Sequence, residues 1–580
     1  MKDSELPARQ RIRLRENQVF FVLSVLIGIL SGLLAVLFTL GIKGVTYVFF
    51  GFSPSAVRYL LVPTCVSCVT GFLLQRYFPE ARGSGVPQVE AAFRLQQGYV
   101  PGRVAFGKFL TGVLCIGSGH SMGREGPSVQ IGAGLASTIG RWFHLSPARA
   151  RSLVPVAAAG ALAGAFNTPV AAVLFALEEI IGDMNAPLIG SAVLASVSAV
   201  IVERSVLGNN PIFQVPQYRL VHAGEVLAYA VLGIVGGIVS LAFCKGLLAA
   251  RALFKRLPER TQVLQPAMGG LLIGVILIFF PQVLGVGYEF VDQALNGGLL
   301  LKTMILLCLM KLIATIISYS SGNAGGIFSP SLYLGAMAGG AVGMLVHRVA
   351  PFASSSPGAF ALVGMGAVFA GIVRAPMTSV FMIFELTQDY QVFVPLMIAN
   401  MISFAISRQF QPTPLYHALL EQDHVHLPRT GLTGTRIAAP LGSARDVMTE
   451  KFRIVPASAT IGDTWEEFAN TGEPSMLVGN DSVATGIVTR ARLEREVRSG
   501  RTRQVLQNVA KLEFAHVHPD HSLDVVISRL GKNPGLLPVV NRSNAKQVVG
   551  IITPRTLMEF VQNNWGTELE EAERHKEPAA

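Results

Sequence analysis

The chain has 580 residues, of which 51% are hydrophobic and only 14% are charged, and its mean hydropathy is +0.48. Soluble proteins carry about 25% charged residues, so this composition excludes a large soluble protein and indicates an integral membrane protein. The net charge of +11 is better explained by basic segments beside a membrane than by nucleic-acid binding.

The first predicted element is a membrane helix. Residues 19–42 carry no charge, and this stretch exceeds the ~20 residues that a helix needs to cross a bilayer. Residues 1–18 are rich in arginine, so the positive-inside rule places this end in the cytoplasm. No short apolar core with a small-residue cleavage site, as in a signal peptide, is evident.

The first glycine-rich motif is Gly83-Ser84-Gly85-Val86-Pro87. Glycine permits a tight turn, and proline suits the first turn of a helix. A helix that starts within the membrane presents free N–H groups and a partial positive charge, which attract an anion, and the Ser84 hydroxyl adds a donor. The alternative is a turn that only allows close packing.

The second motif is Gly123-Arg124-Glu125-Gly126-Pro127, within a long apolar run. Ionisable residues at membrane depth are functional candidates, although Arg124 and Glu125 could also neutralise one another. A carboxylate at such a helix start competes with an anion for the same N–H donors. Protonation would remove the competitor, so anion binding and proton binding would be linked.

The second half of the membrane region repeats the pattern of the first half, roughly two hundred residues later and in the same order. Paired glycine- and proline-broken segments in two halves indicate a transport site near the bilayer midplane. The matched positions are Gly83 with Gly285, Glu90 with Asp292, Lys108 with Lys311, Gly123 with Gly326, Pro169 with Pro376 and Glu178 with Glu385.

The third motif, Gly325-Gly326-Ile327-Phe328-Ser329-Pro330, is the second-half counterpart of the Glu125 motif and carries no charge. It can therefore offer the backbone amides of Ile327 and Phe328. Weak, uncharged ligands suit permeation, because a bound ion must also leave.

The repeat also indicates different roles for two adjacent acids, Glu178 and Glu179. Glu178 has an acidic counterpart in Glu385, which favours an architectural role such as a shared helix-end contact. Glu179 corresponds to Leu386 and has no acidic counterpart. We therefore expect Glu179 to be the functional acid of the pair.

Beyond about residue 440 the chain becomes a mixture of charged helices and short strands. Gly486–Thr489 and Gly550–Thr553 repeat the same turn, and two tandem β-α-β-β-α units resemble a pair of CBS domains. CBS domains that bind adenine nucleotides usually place an aspartate after this turn, and neither unit has one, so nucleotide binding is doubtful. The predicted segments are a basic N-terminal segment (1–18), two membrane repeats (19–205 and 206–420), a linker (421–439), two CBS-like units (440–500 and 501–565) and a polar tail (566–580).

The three glycine-rich motifs, in this order and spacing, resemble the CLC family of chloride channels and chloride/proton antiporters. The resemblance implies a polytopic α-helical membrane protein with two inverted-topology repeats, many broken or tilted helices and a cytoplasmic α/β CBS pair. It implies a homodimer in the cell membrane and no cofactor or metal. It also implies an external gate at Glu125, an internal proton acid at Glu179, and chloride contacts at Gly83, Ser84, Gly85, Arg124, Glu125, Gly126, Ile327, Phe328 and Tyr416.

Three other functions remain open at the level of sequence. A passive chloride channel on the same fold is the nearest, and Glu179 favours exchange over it. A fluoride exporter fits less well, because Ser84 lies in a chloride-type motif. An intramembrane serine protease would use Ser121, since residues 119–123 match G-x-S-x-G, but that chemistry needs a base beside the serine, such as His347.

Overall fold

The structure is a computed structural model, and the chain forms two compact units, Met1–Leu432 and Thr433–Ala580. The predicted polar tail, most of the predicted linker and residues 1–7 lie outside the described residues. The described residues are 8–51, 54–182, 188–209, 212–213, 215, 224–258, 261–349, 355–388, 390–425, 427, 443–471, 474–480, 483–510, 514–521, 523–530, 535–542 and 544–560.

The first unit is helical throughout its described part. Its helices are α1 (Ala8–Phe50), α2 (Ala56–Arg76), α3 (Val86–Leu95), α4 (Gly102–Gly117), α5 (Glu125–Trp142), α6 (Pro147–Phe166), α7 (Pro169–Phe175, continued by a π-helical turn Ala176–Ile181), α8 (Ile189–Leu207), α9 (Glu225–Lys255), α10 (Gln265–Phe279), α11 (Tyr288–Leu295), α12 (Leu301–Ser320), α13 (Phe328–Val349), α14 (Pro357–Val373), α15 (Pro376–Thr387), α16 (Phe393–Phe410) and α17 (Leu415–Gln422).

Helix packing repeats between the two halves as the sequence repeat predicts. In the first half α5 packs on α6, α1 on α8 and α4 on α5. In the second half α13 packs on α14, α9 on α16 and α12 on α13 in the same way. The two halves contact each other through α2 with α10 and through α7 with α15. In chain order the eight helices α1–α8 correspond to α9–α16, and α17 follows them.

Many helices are short or end inside the packed region, as predicted. Seven described helices are long and apolar enough to cross a membrane by length and composition, and others of 10–17 residues are apolar but shorter. One break is duplicated. Asn167 (φ 57°) ends α6 and Arg374 (φ 70°) ends α14 in the left-handed conformation, and a proline then opens the next helix. A left-handed residue followed by proline stops one helix and starts another with little connecting chain.

The second unit contains a five-stranded sheet in the order β1-β2-β3-β5-β4. Strand β1 runs parallel to β2, whereas β2–β3 and β4–β5 are antiparallel pairs. The first β-α-β-β-α unit is complete, whereas in the second the described residues before the first helix form only an isolated parallel bridge, Val517 with Val539. The elements are α18 (Ala444–Val447), β1 (Ile454–Pro456), α19 (Ile461–Thr471), β2 (Ser475–Asn480), β3 (Val483–Thr489), α20 (Arg490–Arg498), α21 (Leu523–Leu530), β4 (Leu537–Asn541) and β5 (Asn544–Ile552).

Candidate functional site

The three glycine-rich motifs meet at one place in the first unit. Gly83 donates its N–H to the Asn323 carbonyl (3.2 Å) and accepts from Gly325 N (3.1 Å). Gly123 and Gly326 exchange two backbone hydrogen bonds of 2.7 Å. Because α3, α5 and α13 begin directly after these contacts, three helix starts converge, and their first N–H groups lack intrahelical partners.

Glycine is required where the motifs touch. A Cβ at Gly126 would lie 2.4 Å from Ser84 Oγ, and one at Gly123 would lie 2.3 Å from Glu125 Oε2. Gly83 and Gly85 have φ angles of 69° and 102°, which other residues rarely adopt. The backbone thus approaches the Ser84 and Glu125 side chains more closely than any larger residue would allow.

Two buried hydroxyls lie at this convergence. Ser84 is 0% exposed and Tyr416, in the first turn of α17, is 1% exposed. The Tyr416 hydroxyl is close to the Ser84 side chain, yet neither oxygen makes a hydrogen bond of regular geometry with another described residue. Buried hydroxyls normally have a partner, so this pair suits an anion that accepts from both.

The third motif contributes buried backbone rather than charge. Ile327 and Phe328 are both 0% exposed, and Phe328 opens α13. The Phe328 ring packs against Phe166, Phe175 and Phe369, with centroid separations of 6.2, 5.1 and 4.9 Å. This aromatic packing fixes the start of α13, so the amides predicted to contact the anion are held rigidly.

Glu125 is fully buried between two helix starts. Its Oε1 accepts from the Tyr288 hydroxyl (3.1 Å) and from the Ser329 hydroxyl in the first turn of α13. Its Oε2 has no hydrogen-bond partner among the described residues. The carboxylate therefore occupies the helix-start region that we expected it to contest with an anion.

Arg124 lies beside Glu125 and the Tyr288 ring and contacts two neighbouring helices. Its guanidinium donates to Thr39 Oγ1 (2.9 Å) on α1 and to the Ala165 carbonyl (3.1 Å) at the end of α6. Its Nε is 3.9 Å from Glu125 Oε1, which is too long for a hydrogen bond. The structure thus gives Arg124 a role in joining helices, and a direct contact with chloride stays a prediction.

Two buried lysines hold the glycine turns from behind. Lys108 Nζ donates to the carbonyls of Ala81 and Gly83. Its counterpart Lys311 donates to the carbonyls of Val283 (3.1 Å) and Gly285 (2.7 Å). Because the two lysines make equivalent contacts in the two halves, both stabilise turns.

Glu178 and Glu385 make reciprocal contacts between the halves. Glu178 accepts from Met377 N (3.2 Å), Thr378 N (2.8 Å) and Thr378 Oγ1 (2.6 Å) at the start of α15. Glu385, on α15, accepts from Val170 N (2.9 Å) and Ala171 N (2.8 Å) at the start of α7. This is the shared helix-end contact expected of Glu178.

Glu179 lies one residue further, in the π-helical turn, and is 8% exposed. Such turns interrupt a regular helix and often occur at functional sites. The charged side chains that act on it electrostatically are Glu90, Glu178, Arg94 and Arg374. Glu179 and Glu125 both lie within electrostatic range of the Tyr416 phenol, a residue of the predicted chloride site.

The serine protease alternative finds no support. The Ser121 hydroxyl pairs with Thr315 Oγ1 at 3.0 Å. The adjacent His120 contacts Ser67 and Ser318 instead. Without a base on Ser121 within the described part of the chain, the G-x-S-x-G match is a consequence of abundant glycine.

Two residues of the site were not predicted from sequence, Tyr288 and Ser329, the partners of Glu125. Signals for both existed. Ser329 belongs to the third motif, and Tyr288 follows Gly287 in the second-half counterpart of the first motif. The repeat could have identified them if each motif had been read for the side chains it delivers to the opposite half.

The duplicated helical frame, the converging helix starts and the buried acids define an anion transport protein of the membrane. A family model described as voltage gated chloride channel matches residues 65–408, and a CBS domain model matches residues 507–563. The chain therefore belongs to the voltage gated chloride channel (CLC) family.

Individual relatives agree with this assignment. The H(+)/Cl(-) exchange transporter ClcA of Vibrio cholerae serotype O1 (strain M66-2) is 32% identical over 414 residues, which are 69% of this chain and 88% of that protein. The crystal structure of a slow cyanobacterial Cl−/H+ antiporter aligns with TM-score 0.65 and 28% identity, covering 70% of this chain and 97% of that one. A eukaryotic CLC transporter (TM-score 0.61, 21% identity) covers 93% of this chain and supports the fold alone.

Proposed function

We propose that this protein exchanges chloride for protons across the membrane. The observation that carries the proposal is the position of Tyr416, whose phenol is close to Ser84 and is acted on by Glu125 and Glu179. An anion at Tyr416 would thus lie within electrostatic range of both acids. The relatedness to the Vibrio exchanger and to the cyanobacterial antiporter supports the same function.

In this proposal chloride is held without a full positive charge. The amides of Ile327 and Phe328 and the hydroxyls of Ser84 and Tyr416 donate to it, and the turns at Gly83, Gly85 and Gly126 allow the approach. Neutral donors bind chloride weakly enough for it to leave on each cycle.

Glu125 is proposed as the outer gate. When ionised, its carboxylate is held by Tyr288 and Ser329 at the helix starts. Protonation removes the negative charge and weakens both hydrogen bonds, because charge-assisted bonds are about twice as strong as neutral ones. The side chain then leaves, and chloride takes its place, while Glu179 exchanges the proton with the inner side.

The arrangement of the molecule in the cell is part of the proposal. We place it in the cell membrane as a homodimer, with residues 1–18 and the CBS pair (440–500 and 501–565) in the cytoplasm. In the single chain α8 and α16 expose large apolar side chains, including Val193, Val197, Met397 and Met401. Such faces must lie against lipid or a second copy.

The test is transport by the purified protein in liposomes. A chloride gradient should drive protons in the opposite direction against their own gradient. Glu125→Ala should abolish proton movement and pH dependence but keep chloride flux, because the gate would be permanently open. Uphill proton pumping by the Glu125→Ala protein, or the absence of proton movement in the unmodified protein, would refute the proposal.

A further inference from the structure

A second buried acid lies beside Glu179 and has no role in the exchange cycle described above. Glu90, on α3, is 0% exposed. Its Oε1 is 2.9 Å from Arg94 Nε, one helical turn further on, and 2.9 Å from His417 Nε2 on α17. Its Oε2 has no hydrogen-bond partner in the described part of the chain. Glu90 is thus a buried carboxylate with one oxygen bound to a titratable imidazole and the other free to take a proton.

Glu90 also lies within electrostatic range of the internal acid. Glu178, Arg94 and Arg374 are the other charged groups within electrostatic range of Glu179. Helix α3 packs against the π-helical turn that carries Glu179. The Arg94 guanidinium lies over Gly182 at the end of that turn, 2.6 Å from where a Cβ would stand. Two nearby carboxylates are unfavourable when both are ionised, so a proton on one lowers the proton affinity of the other.

His417 connects this pair to solvent. About a third of its side chain (31%) is exposed, whereas Glu90 is fully buried. Imidazole gains and loses its proton close to neutral pH, which makes it the side chain best suited to pass protons from water to a buried acid. A proton from water can therefore be taken up by His417 and passed from its Nε2 to Glu90 Oε1 across one hydrogen bond.

The other charged groups packed around α17 are already engaged. On α9, Arg251 and Lys255 bind the Asp423 carboxylate at 2.8 and 2.7 Å. Arg374, at the end of α14, donates to backbone carbonyls that include those of Ser407 and Pro412. Within the described residues, Glu90 is the acid that His417 contacts, and its own helix brings Arg94 to the same carboxylate.

We propose that His417 and Glu90 form a proton-loading pair that supplies Glu179 from the inner side. The N–H bond at His417 Nε2 breaks as an O–H bond forms on Glu90, which leaves a neutral imidazole and a neutral acid. The proton then passes from Glu90 to the Glu179 carboxylate, and a hydronium ion from the inner solution gives a new proton to the neutral imidazole, which restores the imidazolium that begins the next cycle. This inference rests on the proposed chloride/proton exchange.

The pair is also tied to the chloride site by the chain itself. Glu90 lies on α3, which begins just after Ser84, and His417 directly follows Tyr416. A shift of either helix start on chloride binding would therefore move one member of the loading pair. The geometry gives a route for chloride occupancy to affect proton entry.

The experiment compares proton and chloride flux in the same liposomes from about pH 5.5 to about pH 8, the range in which imidazole titrates. The variants are His417→Gln, which retains a donor to Glu90 but cannot titrate, Glu90→Gln, and the double variant. Matched controls are Asp292→Asn, at the position that corresponds to Glu90 in the second half, and His144→Gln, at an exposed turn. Chloride flux in each preparation reports that the variant is folded.

In the unmodified protein the number of protons moved per chloride should fall as pH rises, because fewer protons are available to load His417. His417→Gln and Glu90→Gln should each lower this number about fivefold or more at about pH 6.5 and flatten its pH dependence. The double variant should add nothing to either single variant, because both act on one step. The two controls should keep the unmodified profile.

Two results are distinguishable failures. If the unmodified protein couples protons to chloride and His417→Gln keeps the same ratio and pH profile, the loading pair is wrong while the exchange function stands. If the unmodified protein moves no protons, the exchange function itself is wrong, and the loading pair falls with it.

Discussion

Replacing Glu178 by glutamine should destabilise the protein by about 2–4 kcal/mol without ending proton exchange. The carboxylate accepts three hydrogen bonds, one from Met377 N and two from Thr378. A glutamine oxygen can keep the two bonds from Thr378, but its NH2 group then faces the Met377 N–H, donor against donor. One charge-assisted bond is lost, at about 1.5–3 kcal/mol, together with a negative charge at a helix start, at about 0.3–1 kcal/mol.

The repeat supplies the comparison that makes this prediction specific. Glu385→Gln breaks the equivalent contact to Val170 and Ala171 and should cost a similar amount. Glu179→Gln, one residue from Glu178, should leave stability nearly unchanged and abolish proton movement. The same change, glutamate to glutamine, is thus expected to reduce stability at positions 178 and 385 and to abolish proton movement at position 179.

The assay is denaturant- or heat-induced unfolding in detergent, followed by intrinsic fluorescence, with proton and chloride flux measured on the same preparations. Glu178→Gln and Glu385→Gln should shift the unfolding midpoint and keep the ratio of protons to chloride. If Glu178→Gln instead unfolds like the unmodified protein and loses proton coupling, the distinction between matched and unmatched acids is wrong.

Three further predictions concern the anion site and the two CBS-like units. Truncating both hydroxyls, in a Ser84→Ala, Tyr416→Ala double variant, should weaken chloride binding measured by calorimetry, and unchanged affinity would place the site elsewhere. Tyr288→Phe removes one hydrogen bond from ionised Glu125, worth about 1.5–3 kcal/mol, so chloride flux at neutral pH should rise; a lower flux in a folded protein would contradict this role. Neither CBS-like unit has the aspartate that usually follows the turn in nucleotide-binding CBS domains. Titration of the full-length protein with ATP should therefore give an affinity weaker than millimolar, and micromolar binding would overturn that expectation.

Much of the site was predictable because the motifs are local and repeated. Each glycine-rich segment specifies a turn and a helix start by its own sequence, and three such segments in a duplicated frame imply that they meet. The hydrogen bonds of Gly83 with Gly325 and of Gly123 with Gly326 confirm that they do. Local conformational rules therefore carried the prediction of where an anion could bind.

The side-chain partners could not be predicted in the same way. Glu125 meets Ser329 from 204 residues away, and Glu90 meets His417 from 327 residues away. No periodicity or spacing encodes such contacts, because they depend on how helices of the two halves cross. Similarly, Arg124 sits in the chloride motif, but only the structure reveals that Thr39 and Ala165 hold its guanidinium.

The comparison of the two halves is informative only together with burial. Lys108 and Lys311 are matched in type, in burial and in contacts, so their shared role is structural. Glu90 is matched in type by Asp292 and would be assigned the same kind of role from sequence alone. Yet Glu90 is fully buried and holds an imidazole, whereas Asp292 is partly exposed.

A duplicated fold can therefore keep an acid at both positions and use only one of them for chemistry. The environment decides, because a partly exposed carboxylate keeps contact with water, whereas a buried carboxylate bound to an imidazole is placed to exchange a proton with it. Removing the charge at Asp292 should accordingly leave proton coupling intact, and removing it at Glu90 should not. If both substitutions reduce coupling equally, the matched acids share one structural function, and burial does not separate them.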